Sequence, residues 1–213
     1  MRFYVYCIVA MLAVFIGAGA GAVETPDAAL ANIQRAIDGN DQVLLEKYID
    51  LRGIIARGVD TFIVDFAAHP PSGEGDPLLE MLSGGLSAPS QSAANQSMKM
   101  LLIEETHKFV IRGVASGDFS GRPSTQAVLP DGGILSVLFA DASTARKELR
   151  SVRVQPPQGD RTTASAKMFD HGSERSYPVQ LSLKRQPEGY WKVTEVNNMA
   201  ELIRIVRKEA DAR

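Results

Sequence analysis

The chain has 213 residues, with 25 acidic against 23 basic side chains and a formal net charge of -2, a balance that excludes the broad basic footprint expected of a nucleic-acid-binding protein. Its lone cysteine, Cys7, excludes a disulfide framework and a multi-thiolate metal site, so the fold must be held by its own apolar core. The length favours one domain with helical additions.

The opening stretch "MRFYVYCIVAMLAVFIGAGAGA" joins a basic Arg2, an apolar run over residues 3–16 and a tail of Gly and Ala. This is the pattern of a secretory signal peptide, residues 1–22, with cleavage expected after Ala22. Cleavage would remove Cys7, the only thiol, and leave a periplasmic or secreted mature chain, residues 23–213. The alternative is an uncleaved inner-membrane anchor, because the apolar and small residues together approach the ~20 needed to span a bilayer.

Thr25-Pro26-Asp27 is a helix start, with a hydroxyl cap, a proline whose missing N–H costs nothing, and an acid in the first turn. The spacing of Leu30, Ile33 and Ile37 predicts a helix from Pro26 to Asp38, with Gly39-Asn40 as its left-handed exit. Asp41 caps a second helix through Leu44, Leu45, Tyr48 and Ile49, antiparallel to the first. Gly53 and Gly58 weaken its continuation, so "RGIIARGVDTFIVDF" predicts a further helix reached through a bend. Residues 67–97 concentrate Pro, Gly, Ser and Ala around a short apolar segment, 77–82, and read as a mobile surface insertion. Met98, Leu101, Leu102, Glu105, Phe109 and Val110 then predict a long helix through about Val114.

From residue 134 the period changes from helical to alternating. Residues 134–139 form an apolar run that reads as a strand, and residues 141–150 fit helix or strand equally. Val152 and Val154, then Ala164, Ala166 and Met168, then Tyr177, Val179, Leu181 and Leu183, then Trp191 and Val193 each alternate with polar residues. The turns "PPQGD", "DHGSER" and "PEG" separate them. An antiparallel meander with one solvated face reads this way. In "NNMAELIRIVRK", Asn198 caps a last helix with Glu201 three residues on, and Met199, Leu202, Ile203 and Val206 form an apolar stripe expected to help cover the sheet. The predicted class is α+β: N-terminal helices packed on a C-terminal curved antiparallel sheet, closed by a C-terminal helix, in a single domain.

This order, with the passages "AIDGNDQVLLEKYID" and "YWKVTEVNN", resembles small exported bacterial proteins of the nuclear transport factor two-like, cystatin-like α+β kind. The resemblance implies a curved sheet wrapped against helices into a cone that can hold a pocket. Isomerases, dehydratases, binding modules and purely structural domains share that fold, so the resemblance selects no activity. The sheet residues expected to line such a pocket are Trp191, Glu195, Tyr177 and Leu181.

Glu104-x-x-His107 puts a carboxylate and an imidazole on one helical face, as in carboxylate-bridged metal centres, but such centres need a second copy on another helix and the sequence has none. His69 precedes two prolines in a loop, His171 belongs to a turn, and no two histidines have zinc-type spacing. Asp170 and His171 are neighbours in a turn whose composition explains both. Asp60, Asp65 and Glu195 are the carboxylates available to a pocket. Alternation puts Glu195 on the face of Trp191 and Val193, where it would need a partner or carry a raised pKa, unless the strand has emerged into solvent by then. No phosphate-cradling Gly loop, nucleophile elbow or triad is evident. The sequence therefore predicts no catalytic set, no metal and no cofactor. Its leading reading is a non-catalytic exported binding or accessory module for a small molecule or protein, engaged through the concave sheet or the 67–97 insertion. A cone-fold lyase or isomerase using a pocket carboxylate, and a homodimerisation domain built on the outer sheet face, are the alternatives. Nucleic acid is not an expected partner, and a membrane is one only if the N-terminal segment is retained.

Overall fold

In the computed structural model the residues described are 24–69, 81, 84–86, 92–122 and 145–211. The expected signal segment 1–22, most of the 67–97 insertion with its apolar segment 77–82, the strand expected over 134–139 and the first part of the ambiguous stretch 141–150 lie outside them.

Helix α1, Pro26–Asp38, begins as its sequence dictates: the Thr25 hydroxyl accepts from the Ala28 N–H at 3.2 Å, and Pro26 takes the first turn. Its buried stripe is Ala29, Leu30, Ile33, Ala36 and Ile37. Asn40, at φ 57°, makes the left-handed exit, while Gly39 stays at φ -95°; Asn is one of the few side chains that enter this region readily. Asp41 accepts from the Leu44 N–H at 2.9 Å and opens α2, Gln42–Tyr48.

The expected bend separates α2 from α3, Leu51–Ala68, and its cause is tertiary. Ile49 is extended and bridges Val193 in parallel, and the Asp50 N–H donates to the Val193 carbonyl at 2.8 Å. Asp50 then caps α3 at Gly53, where a Cβ would stand 2.1 Å from the capping carboxylate. Helix α4, Ala93–Ala115, is capped by Ser92 and starts about a turn before Met98. A 3-10 turn, Asp118–Ser120, follows it and lays the Phe119 ring on Gly113.

The C-terminal half is an antiparallel meander in the order β1-β2-β3-β4: Lys147–Val154, Arg161–Asp170, Arg175–Arg185 and Trp191–Val196. The ambiguous stretch before Ser151 resolves as strand from Lys147 onward. Ala164, Ala166, Leu181, Leu183, Trp191 and Val193 are buried, Trp191 with 0% exposure. All but Ala166 join one core with the α1 stripe, Leu45, Tyr48, Val114 and Phe119. Each large side chain so buried contributes about 1.5–3 kcal/mol. A second cluster, Ile55, Val59, Leu86 and Leu102, holds α3 against α4.

Two bulges interrupt the alternation. In β1, Arg150 faces Lys167 but Arg153 faces Ser165, so Ser151 and Val152 share one place, with Ser151 at φ 53°. Leu149 and Val154 therefore both reach the core, whereas Val152, expected inward, is exposed. In β4, Leu183 faces Val193 but Ser182 faces Glu195, which makes Thr194 the extra residue.

Helix α5, Met199–Asp211, closes the chain as expected but packs elsewhere. It lies against α3 and the margin of β3, with Met199 beside Gly58, Arg207 3.4 Å from Asp65, and Glu209 paired with Arg175. The inner face of the sheet is covered by α1 and α2 instead, and Val206, expected on the packed stripe, is exposed. Among the described residues no helix is long and apolar enough to cross a membrane.

Both sheet edges are occupied in part. Beside β4 lies Ile49, and Arg57 donates to the Thr194 carbonyl. Beside β1, the Gln34 side chain of α1 acts as a strand would: its Oε1 accepts from the Leu149 N–H at 2.8 Å and its Nε2 donates to the Lys147 carbonyl at 3.3 Å.

Candidate functional site

The four residues expected around a pocket are distributed over three environments. Trp191 and Leu181 are core residues beneath α1 and α2. Tyr177 is half-buried and donates to Glu209 of α5 at 2.9 Å; burial raises its pKa, a side-chain hydrogen bond with Ser173 opposes this, and the Glu209 carboxylate adds to the rise. Glu195 alone faces outward, because the bulge at Thr194 turns it from the face of Trp191 and Val193 to that of Ser182.

The other candidates have local partners. Glu104 pairs with Arg52 at 2.5 Å, which lowers its pKa, and His107 lies 3.1 Å from Glu46. These two contacts join α4 to α3 and α2. Asp60 pairs with Lys99 at 2.6 Å, and Asp65 lies 3.5 Å from His69. The Asp170 carboxylate is buried and accepts from Lys147 at 2.6 Å, from the Gly172 N–H and from the Ser173 hydroxyl, which fixes the β2–β3 turn. His171 points to Glu148 instead, at 2.9 Å. No group of three or more His, Cys, Asp or Glu able to hold a metal occurs among the described residues.

The outer face of the sheet carries a feature that alternation alone does not reveal. Arg161 of β2 stands opposite Lys184 of β3, which stands opposite Lys192 of β4. Each is next to a buried inward residue, Thr162, Leu183 and Trp191 respectively, so all three belong to the solvent face. Further along, Arg150 faces Lys167, and Arg153 occupies the next outward place. Like charges directly opposite one another on a sheet are destabilising. Of these cations only Arg150 has a carboxylate partner among the described residues: it bonds Glu148 at 2.7 Å and stacks on the outward Phe169, 3.6 Å from the ring centre. Arg153, Arg161, Lys167, Lys184 and Lys192 form no ion pair with a described carboxylate. A chain of net negative charge thus gathers on one face cations that pair with no described carboxylate.

At one end of this face lies a depression of about 340 Å³. Arg161, Thr163, Ser182, Lys184 and Glu195 line it, and the β1–β2 connection, Gln155 to Gln158, forms its wall. That wall is tied down: the Thr162 hydroxyl donates to the Gln155 carbonyl at 2.6 Å, the Gln155 N–H to the Thr163 carbonyl at 2.9 Å, and the Gln158 N–H to the Arg161 carbonyl at 2.8 Å. The cation row was missed in the sequence because it is assembled from three strands; register, which brings the three together, cannot be read from any one of them.

Comparison with known proteins finds no matching family model, no similar curated protein and no similar solved structure.

Proposed function

We propose that this chain is a non-catalytic exported binding module that engages an anionic partner through the outer face of its sheet. The row Arg161, Lys184 and Lys192 carries this reading. A sheet that sets cations directly across from one another gives up stability unless something outside supplies the opposite charge. The inner face offers a ligand little room, since Trp191, Leu183 and Leu181 meet α1 and α2 there.

The lyase or isomerase alternative lacks comparable support. Glu195 is open to solvent, and no hydrogen bond joins it to a described Tyr or His, while Tyr177 is committed to Glu209. Homodimerisation through the outer face would set two cationic rows against each other, which disfavours it.

The test is retention of the full chain on an anionic matrix, with a neutral matrix as control. Binding to the anionic matrix that weakens with ionic strength is expected, because exposed charge pairs are screened within ~8 Å at physiological salt. Equal retention on both matrices, or none on either, would sink the proposal.

A further inference from the structure

The depression at the end of the cationic face is chemically unlike the rest of that face. Arg161 and Lys184 form no ion pair with a described carboxylate, and Glu195, which lines the same depression from β4, pairs with neither. A carboxylate placed there repels a densely charged ligand. It becomes an asset if the ligand carries a hydroxyl close to its own oxyanion, since an ionised carboxylate is acceptor-only and binds O–H donors strongly. The remaining lining matches the same demand. Thr163 and Ser182 present hydroxyls, and Gln155 and Gln158 stand in the wall. The Ser182 hydroxyl already donates to Asn197 Oδ1 at 2.9 Å, which leaves its oxygen able to accept.

Other ligand classes fit less well. Among the described residues no aromatic side chain lines the depression to stack a nucleobase. An acidic peptide adding as a strand would need a free sheet edge, and β4 beside the depression is already met by Ile49 and Arg57. The volume of about 340 Å³ lies at the small end of ligand sites, about 300–1,000 Å³, which suits one or two sugar rings. The wall is held by backbone hydrogen bonds, so little ordering is required on binding.

We infer that the depression formed by Arg161, Thr163, Ser182, Lys184, Glu195 and the β1–β2 connection binds an acidic saccharide residue, a polyol bearing a carboxylate or sulfate. In this arrangement Arg161 and Lys184 take the oxyanion, and Glu195 accepts from a neighbouring hydroxyl. The inference rests on the anionic-partner reading of the outer face and adds the identity of the polyol.

The experiment compares binding of the full chain to polygalacturonate, dextran sulfate, poly-L-glutamate and neutral dextran at fixed salt, before and after Glu195→Ala. At least one acidic polysaccharide is expected to bind about tenfold more tightly than poly-L-glutamate, which has the charge but no hydroxyls, with neutral dextran not retained. Which of the two polysaccharides wins distinguishes a carboxylate from a sulfate. Glu195→Ala should weaken polysaccharide binding by about tenfold while leaving poly-L-glutamate binding unchanged or stronger, because the substitution removes both an acceptor and a repelling charge. If Glu195→Ala strengthens all anionic polymers alike, or if poly-L-glutamate binds as well as both polysaccharides, the saccharide inference is overturned and the anionic-partner reading of the cationic face stands. If none of the anionic polymers binds at low salt, both fall together.

Discussion

At the scale of single residues, Lys184 is the most informative position. It faces a cation on each side, Arg161 and Lys192, and like-charge neighbours of this kind cost roughly 0.2–1 kcal/mol each. Lys184→Glu is therefore expected to raise the thermal midpoint by about 1–3 °C and, in the same protein, to reduce retention on an anionic matrix. Calorimetry and salt-gradient elution check the two halves. A variant that loses both stability and binding would mean that Lys184 serves the fold rather than a partner. Glu148 gives a second expectation. Hydrogen bonds from Arg150 and then His171 hold its carboxyl down to about 2, so it binds its proton less readily folded than unfolded. Its contribution is fully present above the ordinary carboxylate range and is lost as pH falls toward about 2. The side chain is partly open to solvent, so the effect is modest. Glu148→Gln should flatten the acid limb of a plot of thermal midpoint against pH, and an unchanged limb would show that the pair contributes nothing measurable.

At the scale of elements, the join between α4 and the following 3-10 turn depends on one missing side chain. A Cβ on Gly113 would stand 2.4 Å from the Phe119 ring, and Phe119 belongs to the main core beside Phe109. Gly113→Ala is expected to destabilise by about 1–3 kcal/mol through overpacking, visible as an earlier urea midpoint. No loss would mean that the ring moves aside freely. Local signals did define most elements. Thr25-Pro26 fixed the start of α1, Asp41 that of α2, and strict alternation placed Ala164, Leu181, Leu183, Trp191 and Val193 on the buried face. What escaped was set by partners remote in sequence. Bulges at Ser151 and Thr194 exist only in the pairing of two strands, so period alone puts Val152 and Glu195 on the wrong face, while the alternative of a strand that has reached solvent by Glu195 holds. Helix α5 carries the apolar stripe of a covering helix, but α1 and α2 already fill the sheet, which leaves α5 to α3. The candidate site is legible only in Glu195, as a carboxylate at the end of a Trp-bearing strand; the depression around it is made by strand register and by a connection whose sequence specifies only a turn.

At the scale of the whole molecule, charge is segregated: the outer sheet face is cationic although the chain as a whole is not. Encounter with an anionic partner should therefore be steered, with an association rate that falls steeply as salt is added while dissociation changes little. Stopped-flow measurements at two ionic strengths separate these rates, and a salt effect confined to dissociation would contradict steering. The Gln34 amide has a different consequence. Its two hydrogen bonds reach a strand 113 and 115 positions away, so the first helix and the last half of the chain must mature together. A nascent polypeptide that has not yet released β1 lacks the strand that the Gln34 amide binds. One that has lost α1 to a protease presents a raw strand margin to any neighbour, the kind of template on which aggregates grow. Gln34→Ala offers a mild version of that injury, and faster clouding on gentle heating, with the starting fold intact by circular dichroism, is its expected sign.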